Sequence, residues 1–345
     1  MKRVTVAIIG AGRIGMLHAD NLLNKDLYSL KIMADVSTDH LKDTHYEQNI
    51  PVITKDIDSI FLDEEIDAVF ICSSTDTHIE YIQRAAKSGK HIFCEKPISF
   101  NIDETKAAIE LANKCGVKLQ VGFNRRFDKH FRNVYEEVQK GTIGTPQLIK
   151  ITSRDPQAPP EEYVKRSGGM FIDMTIHDFD MVRYLADSEV LDISVKAANL
   201  VDPMFGRNND VDTAIITLTF ENGAIAVIDN SRQAVYGYDQ RIEVFGNKGL
   251  VEAENEIETN IKVSTKDRVC IKNPKAFFLE RYKDAYVLEI IEFAHAILND
   301  GKLTCCGEDG YKAELLALAA RTSWLEDRTV KMEEFDSIGI SNQLI

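Results

Sequence analysis

Asp173 and His177 are the residues of this chain whose types and spacing most directly indicate acid–base chemistry. Apolar residues recur around them at helical spacing, so we predict a helix that begins after Gly168-Gly169. Residues four apart share one face of a helix, and a carboxylate there orients an imidazole base that works near neutral pH. The pair is a candidate for removing a hydroxyl proton, although an Asp and a His at this spacing more often form a plain surface hydrogen bond.

The first residues of the chain predict a nucleotide site. The β-branched run 4–9 leads directly into Gly10-Ala11-Gly12-Arg13-Ile14-Gly15, and a helix follows. Glycines in this arrangement allow a tight turn and close approach of the backbone to a pyrophosphate, while the helix N-terminus supplies free N–H groups. The predicted binding residues of this loop are Gly10, Gly12, Arg13, Ile14 and Gly15.

The cofactor is predicted from the end of the second strand. Asp35 stands there, twenty residues after Gly15, where a carboxylate accepts the adenosine ribose hydroxyls and repels a 2′-phosphate. Val36 and Ser37 follow in place of an arginine. We therefore predict that the cofactor is NAD rather than NADP.

Strand and helix signals alternate through residue 121 and predict a doubly wound parallel sheet, the Rossmann fold. Ligands of such sheets lie beyond the carboxyl ends of the strands. Further cofactor-binding candidates are therefore Ser73, Ser74, Thr75 and His78 after one strand, and Glu95 and Lys96 after the next. A lone histidine such as His78 is more often structural. Because Pro97 follows Lys96, we also predict a cis peptide bond between them.

The pattern changes after residue 122. A helical segment is followed by strand runs with turn signals between them, and helical periodicity returns over 285–299 and 308–324. We predict a Rossmann domain over residues 1–122 and, over 123–345, an α+β domain with a large, mostly antiparallel open sheet. An open sheet leaves a face that must be covered, which predicts a homo-oligomer.

Composition excludes several classes of function. The chain has 345 residues and a formal net charge of -14, which argues against binding nucleic acid or an anionic membrane through bulk electrostatics. Its six cysteines form no CxxC pair and no metal-ligand spacing, so we predict no metal site and a reducing, cytoplasmic location. No apolar run approaches the length of a membrane span.

Glu95-Lys96-Pro97, taken with the glycine loop and the run from Asp173 to His177, resembles the Gfo/Idh/MocA family of NAD(P)-dependent sugar and polyol dehydrogenases. The likeness covers nearly the whole chain. The segments 122–128, 153–156 and 167–169 resemble the inositol 2-dehydrogenase branch of that family. In the family, the lysine of the EKP motif contacts both the nicotinamide and the reacting hydroxyl, and the Asp and His of a DxxxH helix complete a triad. The resemblance thus implies Lys96, Asp173 and His177 as the catalytic residues, and a tetramer formed through the sheet faces.

The implied reaction is oxidation of a secondary hydroxyl of a cyclic polyol, myo-inositol or a stereoisomer such as scyllo-inositol, to the ketone. NAD would accept the hydride while His177 removes the hydroxyl proton and helps bind the substrate. Asp173 would hold a substrate hydroxyl and orient His177, and Lys96, also in contact with substrate, would stabilise the developing alkoxide charge.

Polar residues matched to the remaining hydroxyls are needed for discrimination. Arg126 and Asp155 are the candidates for that role, and Tyr236 is a candidate for the wall of the pocket, although a tyrosine near a strand start is as easily core. Two alternatives stay open: a dehydrogenase of another sugar or sugar derivative, and a regulator that binds NAD or sugar without turnover. The intact set of Lys96, Asp173 and His177 argues against the regulator.

Overall fold

The computed structural model describes residues 2–336, and the chain divides into two compact units. The first unit comprises Met1–Asn124 and Ala285–Lys312, and the second comprises Arg125–Asp284 and Ala313–Ile345. A single boundary at residues 122/123, as predicted from the sequence, omits the return of segment 285–312 to the first unit. Among the described residues, no helix is both long enough and apolar enough to cross a membrane.

The first unit is built on a six-stranded sheet in which every pairing is parallel. Its strands are β1 Val4–Ile9, β2 Tyr28–Ala34, β3 Val52–Thr54, β4 Ala68–Ile71, β5 His91–Cys94 and β6 Leu119–Val121. Their order is β3-β2-β1-β4-β5-β6, so the direction of winding reverses between β1 and β4. The predicted doubly wound sheet is confirmed, and the reversal marks the point where ligands of such sheets bind.

A seven-stranded sheet organises the second unit. The strands of this unit are β7 Pro146–Arg154, β8 Val190–Ala198, β9 Thr213–Phe220, β10 Ile225–Ser231, β11 Asp239–Gly246, β12 Gly249–Ala253, β13 Lys262–Ser264, β14 Val269–Ile271 and β15 Val330–Lys331. The order of the large sheet is β12-β11-β7-β10-β9-β8-β15, and all its pairings are antiparallel except that of β7 with β10. The predicted mostly antiparallel sheet is therefore confirmed, and β13 and β14 form a separate hairpin.

The helices are α1 Arg13–Leu23, α2 His45–Asn49, α3 Asp58–Leu62, α4 Thr75–Lys87, α5 Ile102–Lys114, α6 Lys129–Gln139, α7 Glu161–Val164, α8 Met170–Asp173, α9 Ile176–Ala186, α10 Met204–Arg207, α11 Phe278–Arg281, α12 Lys283–Leu298, α13 Gly307–Glu326 and α14 Glu333–Asp336. The helical periodicity of residues 38–47 predicts one continuous helix, and that prediction is wrong in its length. A 3-10 turn at Asp39–Leu41 precedes α2, and Asp43 between them has a φ of 57°, which an α-helix does not allow.

The core of the first unit explains why α12 returns to it. Phe70 on β4 and Phe93 on β5 stack with their ring centroids 4.8 Å apart, and the ring of Phe293 on α12 lies 5.8 Å and 6.0 Å from them. All three rings are completely buried. Because strands buried on both faces need a helix on each face, α12 supplies apolar cover that the first 124 residues do not contain.

Candidate functional site

The glycine loop after β1 has the steric features that a phosphate-binding turn needs. Gly10 has a φ of +100°, and a Cβ there would lie 2.6 Å from the backbone of Cys72 and Ser73. A Cβ on Gly15 would lie 1.9 Å from the carbonyl oxygen of Gly10, so helix α1 can approach β1 only with glycine here. Nothing lies within 4 Å of the corresponding position on Gly12, which leaves the backbone open to a ligand. The site fits a pyrophosphate at the N-terminus of α1.

Asp35 lies at the end of β2 and is oriented by two backbone groups. Its carboxylate accepts hydrogen bonds from the N–H of Ala11 at 2.6 Å and from the N–H of Ser37 at 2.8 Å. Each carboxylate oxygen can accept more than one hydrogen bond, so both oxygens can still accept from ribose hydroxyls. Val36, which follows Asp35, is 82% exposed. Of the other two residues predicted in the glycine loop, Arg13 is exposed and Ile14 is half-buried.

The residues predicted after β4 lie at the start of α4. Ser74 occupies the N-cap position of this helix without a side-chain capping hydrogen bond, and Thr75 is its first residue. The hydroxyl groups of Ser73 and Thr77 share a hydrogen bond of 2.7 Å. His78 is buried, and its ring nitrogens lie 2.8 Å from the carbonyl oxygen of Pro97 and 3.1 Å from that of Ser73.

His78 therefore ties together the two strand ends at which cofactor contacts were predicted. Burial lowers the pKa of its imidazole, while the two backbone carbonyls oppose that shift. The predicted cis peptide bond between Lys96 and Pro97 is confirmed. The direct cofactor contacts of Ser73, Ser74, Thr75, His78, Glu95 and Lys96 remain predictions.

Asp173 lies at the end of the short helix α8, and both its oxygens are engaged. The hydroxyl of Tyr163 donates to Oδ1 at 2.6 Å, and the guanidinium of Arg232 donates to Oδ2 at 2.9 Å. A second nitrogen of Arg232 donates to Asp155 at 3.2 Å. One buried cation thus joins two carboxylates that the sequence proposed for substrate contact, Asp155 and Asp173.

The helix predicted to carry both Asp173 and His177 is wrong in its continuity. It is interrupted at Met174 and Thr175, so Asp173 ends α8 and His177 lies in the first turn of α9. The N–H of Thr175 bonds to the carbonyl of Met170, five residues earlier, instead of continuing the α-helical pattern. The sequence signal was an apolar stripe, and such a stripe does not reveal a local break in a helix.

A buried polar network accounts for that break. The hydroxyl of Thr175 donates to Asn230 on β10 at 2.6 Å, and the amide of Asn230 donates to Asp178 at 2.9 Å. Asp178 is also paired with Arg125. These contacts fix the start of α9, which carries His177, to the large sheet.

Arg126 and Tyr236 are held by carboxylates other than the pair bridged by Arg232. Arg126 is buried and donates two hydrogen bonds to Asp180, at 2.9 Å and 2.6 Å. The hydroxyl of Tyr236 donates to Asp239 at 2.6 Å, and its ring is partly exposed. Their contacts with substrate remain predictions, and these ion-pair and hydrogen-bond contacts give both residues a structural role.

Arg232 and Tyr163 are the site residues that sequence reasoning missed. Arg232 follows β10 directly, so it was within reach of a search for charged residues at strand ends. Tyr163 lies on α7 in a proline-rich segment without periodicity, and only the folded chain brings it to Asp173.

Comparison with known proteins links both parts of the chain to one type of enzyme. Residues 4–123 match the model of an oxidoreductase family described by its NAD-binding Rossmann fold, and residues 131–252 match the GFO/IDH/MocA C-terminal domain. An uncharacterized oxidoreductase of Bacillus subtilis, YrbE, is 51% identical over 98% of this chain and 99% of its own length. The myo-inositol 2-dehydrogenase of Thermotoga maritima is 46% identical over 95% of this chain and 98% of its own length.

One of the similar solved structures contains a bound cofactor and a bound inositol. The scyllo-inositol dehydrogenase of Lactobacillus casei, with bound NAD(H) and scyllo-inositol, superposes with a TM-score of 0.89 at 29% identity. The match covers 96% of this chain and 100% of that one.

The position of Asp35 generates a prediction about the cofactor. Asp35→Ala combined with Val36→Arg should shift the preference toward NADP by at least about tenfold, because it removes a charge that repels the 2′-phosphate and adds one that binds it. The ratio of dissociation constants for NAD and NADP, from fluorescence titration, measures the effect. Val36→Arg alone is the control, since it keeps Asp35. Equal use of the two cofactors by the wild type would contradict this role.

The bridge made by Arg232 generates a prediction about stability. Arg232→Met should lower the free energy of unfolding by about 3 kcal/mol, because it removes a buried cation shared by two carboxylates whose side chains are only 10% and 25% exposed. Burial already raises the pKa of Asp155, and Arg232 opposes that rise. A carboxyl group whose pKa is higher in the folded than in the unfolded state destabilises the fold as pH rises. The loss of unfolding free energy in Arg232→Met, relative to the wild type, should therefore be larger at pH 8 than at pH 5.

Urea unfolding at the two pH values measures this deficit. Arg154→Met is the matched control, because Arg154 pairs with Asp229 where each side chain is 30% exposed, and such a pair contributes about 1 kcal/mol or less. If Arg232→Met lost no more unfolding free energy than Arg154→Met, and lost the same amount at both pH values, Arg232 would not bridge Asp155 and Asp173.

Proposed function

The chain belongs to the GFO/IDH/MocA oxidoreductase family, and on that premise we propose that it oxidises a secondary hydroxyl of a cyclic polyol to the ketone with NAD as hydride acceptor. The observation that carries the proposal is the pair of carboxylates, Asp155 and Asp173, fixed by Arg232 in a chain whose glycine loop fits a dinucleotide. Relatives named for myo-inositol and scyllo-inositol favour an inositol as the substrate.

The roles follow from the charges that the reaction develops. His177 takes the proton of the reacting hydroxyl as the hydride leaves the carbon that bears this hydroxyl. The positive charge of Lys96 stabilises the hydroxyl oxygen as it gains negative charge. NAD, when bound, supplies the carbon that accepts the hydride. Asp173 accepts a hydrogen bond from a substrate hydroxyl, and its orientation is set beforehand by Tyr163 and Arg232.

Asp155 gives the site a second acceptor for a polyol. A ring that carries a hydroxyl on each carbon presents donors in several directions, and an acceptor left without its hydroxyl would be buried unsatisfied. Two carboxylates bridged by one arginine keep a fixed separation. Substrates whose hydroxyls match that separation are therefore favoured over stereoisomers whose hydroxyls do not.

Turnover of the purified protein tests the proposal. We expect NADH formation with NAD and at least one of myo-inositol and scyllo-inositol. Lys96→Met should lower kcat by about 100-fold or more while the NAD dissociation constant stays within about threefold, because its charge acts on the reacting oxygen. Lys42→Met, at an exposed ion pair with Asp39, is the matched control.

The same assay tests whether His177 is the base. Alcohol oxidation needs a neutral imidazole, so kcat/KM of the wild type should fall as acid protonates His177. His177→Ala should lose most turnover and also the acid limb, whereas His45→Ala, at an exposed pair with Asp20, should keep both. A His177→Ala enzyme with the wild-type acid limb would place the base elsewhere. No NADH with any inositol, but with another sugar, would keep the reaction type and change the substrate.

We also propose a homotetramer in the cytoplasm. One face of the large sheet carries half-exposed apolar side chains, including Ile215 and Ile225, which are 46% and 43% exposed. Contact between such faces would remove this apolar area from water. None of the six cysteines, all of which lie in the described part of the chain, forms a disulfide bond, which is typical of a reducing compartment.

Sedimentation tests the assembly. The wild type at micromolar concentration should sediment as a tetramer, and Ile215→Glu with Ile225→Glu should shift it to smaller species because charge would be buried between the faces. Leu325→Glu, at a 62% exposed position on α13, should leave the mass unchanged. A monomeric wild type would refute the proposal.

A further inference from the structure

A buried cluster of two carboxyl groups and one imidazole ends at the residue directly before Lys96. It consists of His18 on α1, Glu95 after β5 and Glu289 on α12, all in the first unit. Nε2 of His18 lies 2.8 Å from Oε1 of Glu95 and 4.0 Å from Oε1 of Glu289. One imidazole nitrogen therefore faces two carboxyl groups.

The cluster is almost entirely buried. The side chains of His18 and Glu289 are 0% exposed, and that of Glu95 is 14% exposed. The His18 ring packs against Phe93, Phe70 and Tyr286, with ring centroids at 4.9, 5.8 and 5.9 Å. Within residues 2–336, neither carboxyl oxygen of Glu289 has a hydrogen-bond partner, which is rare for an ionised group in a protein interior.

The titratable groups that face the cluster from the surrounding elements are Tyr28 on β2, Cys72 after β4, Cys94 on β5, Tyr286 on α12 and His78 on α4, whose imidazole interacts with the charge of Glu95. Of these five groups only His78 can carry a positive charge, and burial lowers the pKa of its imidazole. The cation for both carboxyl groups is therefore left to His18, which lies against each of them. Ionising Glu289 would place a second buried carboxylate beside Glu95 with at most one imidazolium to balance both. The electrostatics therefore favour a neutral Glu289.

The distance between His18 and Glu95 fits a hydrogen bond better than a shared tetrahedral metal ion. Ligands of a tetrahedral zinc ion at about 2.0–2.1 Å from the metal lie roughly 3.3 Å apart. The 2.8 Å between His18 and Glu95 is shorter and is an ordinary hydrogen-bond length. His18 and Glu95 are therefore hydrogen-bonded to each other, whereas no described residue makes a hydrogen bond to the carboxyl group of Glu289.

We propose that Glu289 is a neutral carboxylic acid in the working enzyme and that, with His18, it is a positioning residue for Glu95 and, through Glu95, for Lys96. The inference rests on the proposed role of Lys96. Burial raises the pKa of Glu289 well above its usual value, and the charge of Glu95 raises it further.

The positioning follows from the backbone at the end of β5. The carboxylate of Glu95 is bonded to His18 and packs against Gly122, where a Cβ would lie 3.0 Å from Oε2. Glu95 directly precedes the bend that carries Lys96, so fixing Glu95 restricts the backbone from which the Lys96 side chain extends. Loss of the proton from Glu289 at alkaline pH would add a negative charge beside Glu95 and disturb this arrangement.

Infrared spectroscopy tests the protonation without relying on activity. The spectrum of the folded wild type at pH 7 should contain the carbonyl band of a protonated carboxyl group, and Glu289→Gln should remove it. Glu292→Gln is the matched control on the same helix, since Glu292 accepts a hydrogen bond from Thr304 instead. A wild type without this band, a band that survives in Glu289→Gln, or one equivalent of metal bound by the wild type and lost in that variant would overturn the inference.

The pH profile tests the positioning. Because the wild type loses the proton of Glu289 as pH rises and the glutamine variant cannot, the ratio of kcat at pH 9 to kcat at pH 7 should be about tenfold higher in Glu289→Gln than in the wild type. Glu292→Gln should keep the wild-type ratio. Equal ratios in the wild type and Glu289→Gln would refute the positioning role. Absence of NADH formation by the wild type would refute the proposed function and leave the infrared result standing.

Discussion

A single buried guanidinium, that of Arg232, sets the arrangement of the proposed substrate side of this protein. Two carboxylates as close as Asp155 and Asp173 cannot both stay ionised in a protein interior unless a cation lies between them. Arg232 provides that cation from the end of β10, and α8 is held at the end that carries Asp173. The two glycines before α8 both have positive φ, which lets the chain turn sharply into this short helix.

The helix that carries His177 is anchored by a second set of buried charges. Adjacent residues Arg125 and Arg126 pair with Asp178 and Asp180 on α9, and all four side chains are buried. Removing one partner of such a pair leaves an unbalanced charge in the interior, so each pair restricts the chain to one register. Arg126, which the sequence predicts as a substrate contact, therefore also holds α9 in place together with Arg125.

The features that could be predicted from the sequence depend on local stereochemistry. The tight turn at Gly10, the contact of Gly15 with the preceding strand and the peptide bond before Pro97 each follow from residues that are neighbours in the chain. The break between α8 and α9 depends on Asn230, 55 residues beyond Thr175, and the orientation of Asp173 depends on Arg232, 59 residues away. Periodicity cannot reveal such contacts, because they exist only after β10 has joined the large sheet.

The return of α12 to the first unit has a consequence for the order in which the chain can fold during synthesis. The nucleotide-binding unit emerges first from the ribosome, yet Phe70, Phe93 and His18 gain the rings of Phe293 and Tyr286 only when residues near 290 have been made. Until then a nascent chain holds a parallel sheet with an uncovered apolar face, the kind of surface that chaperones bind. All of the second unit except its last segment has therefore been synthesised before the first unit can close its core.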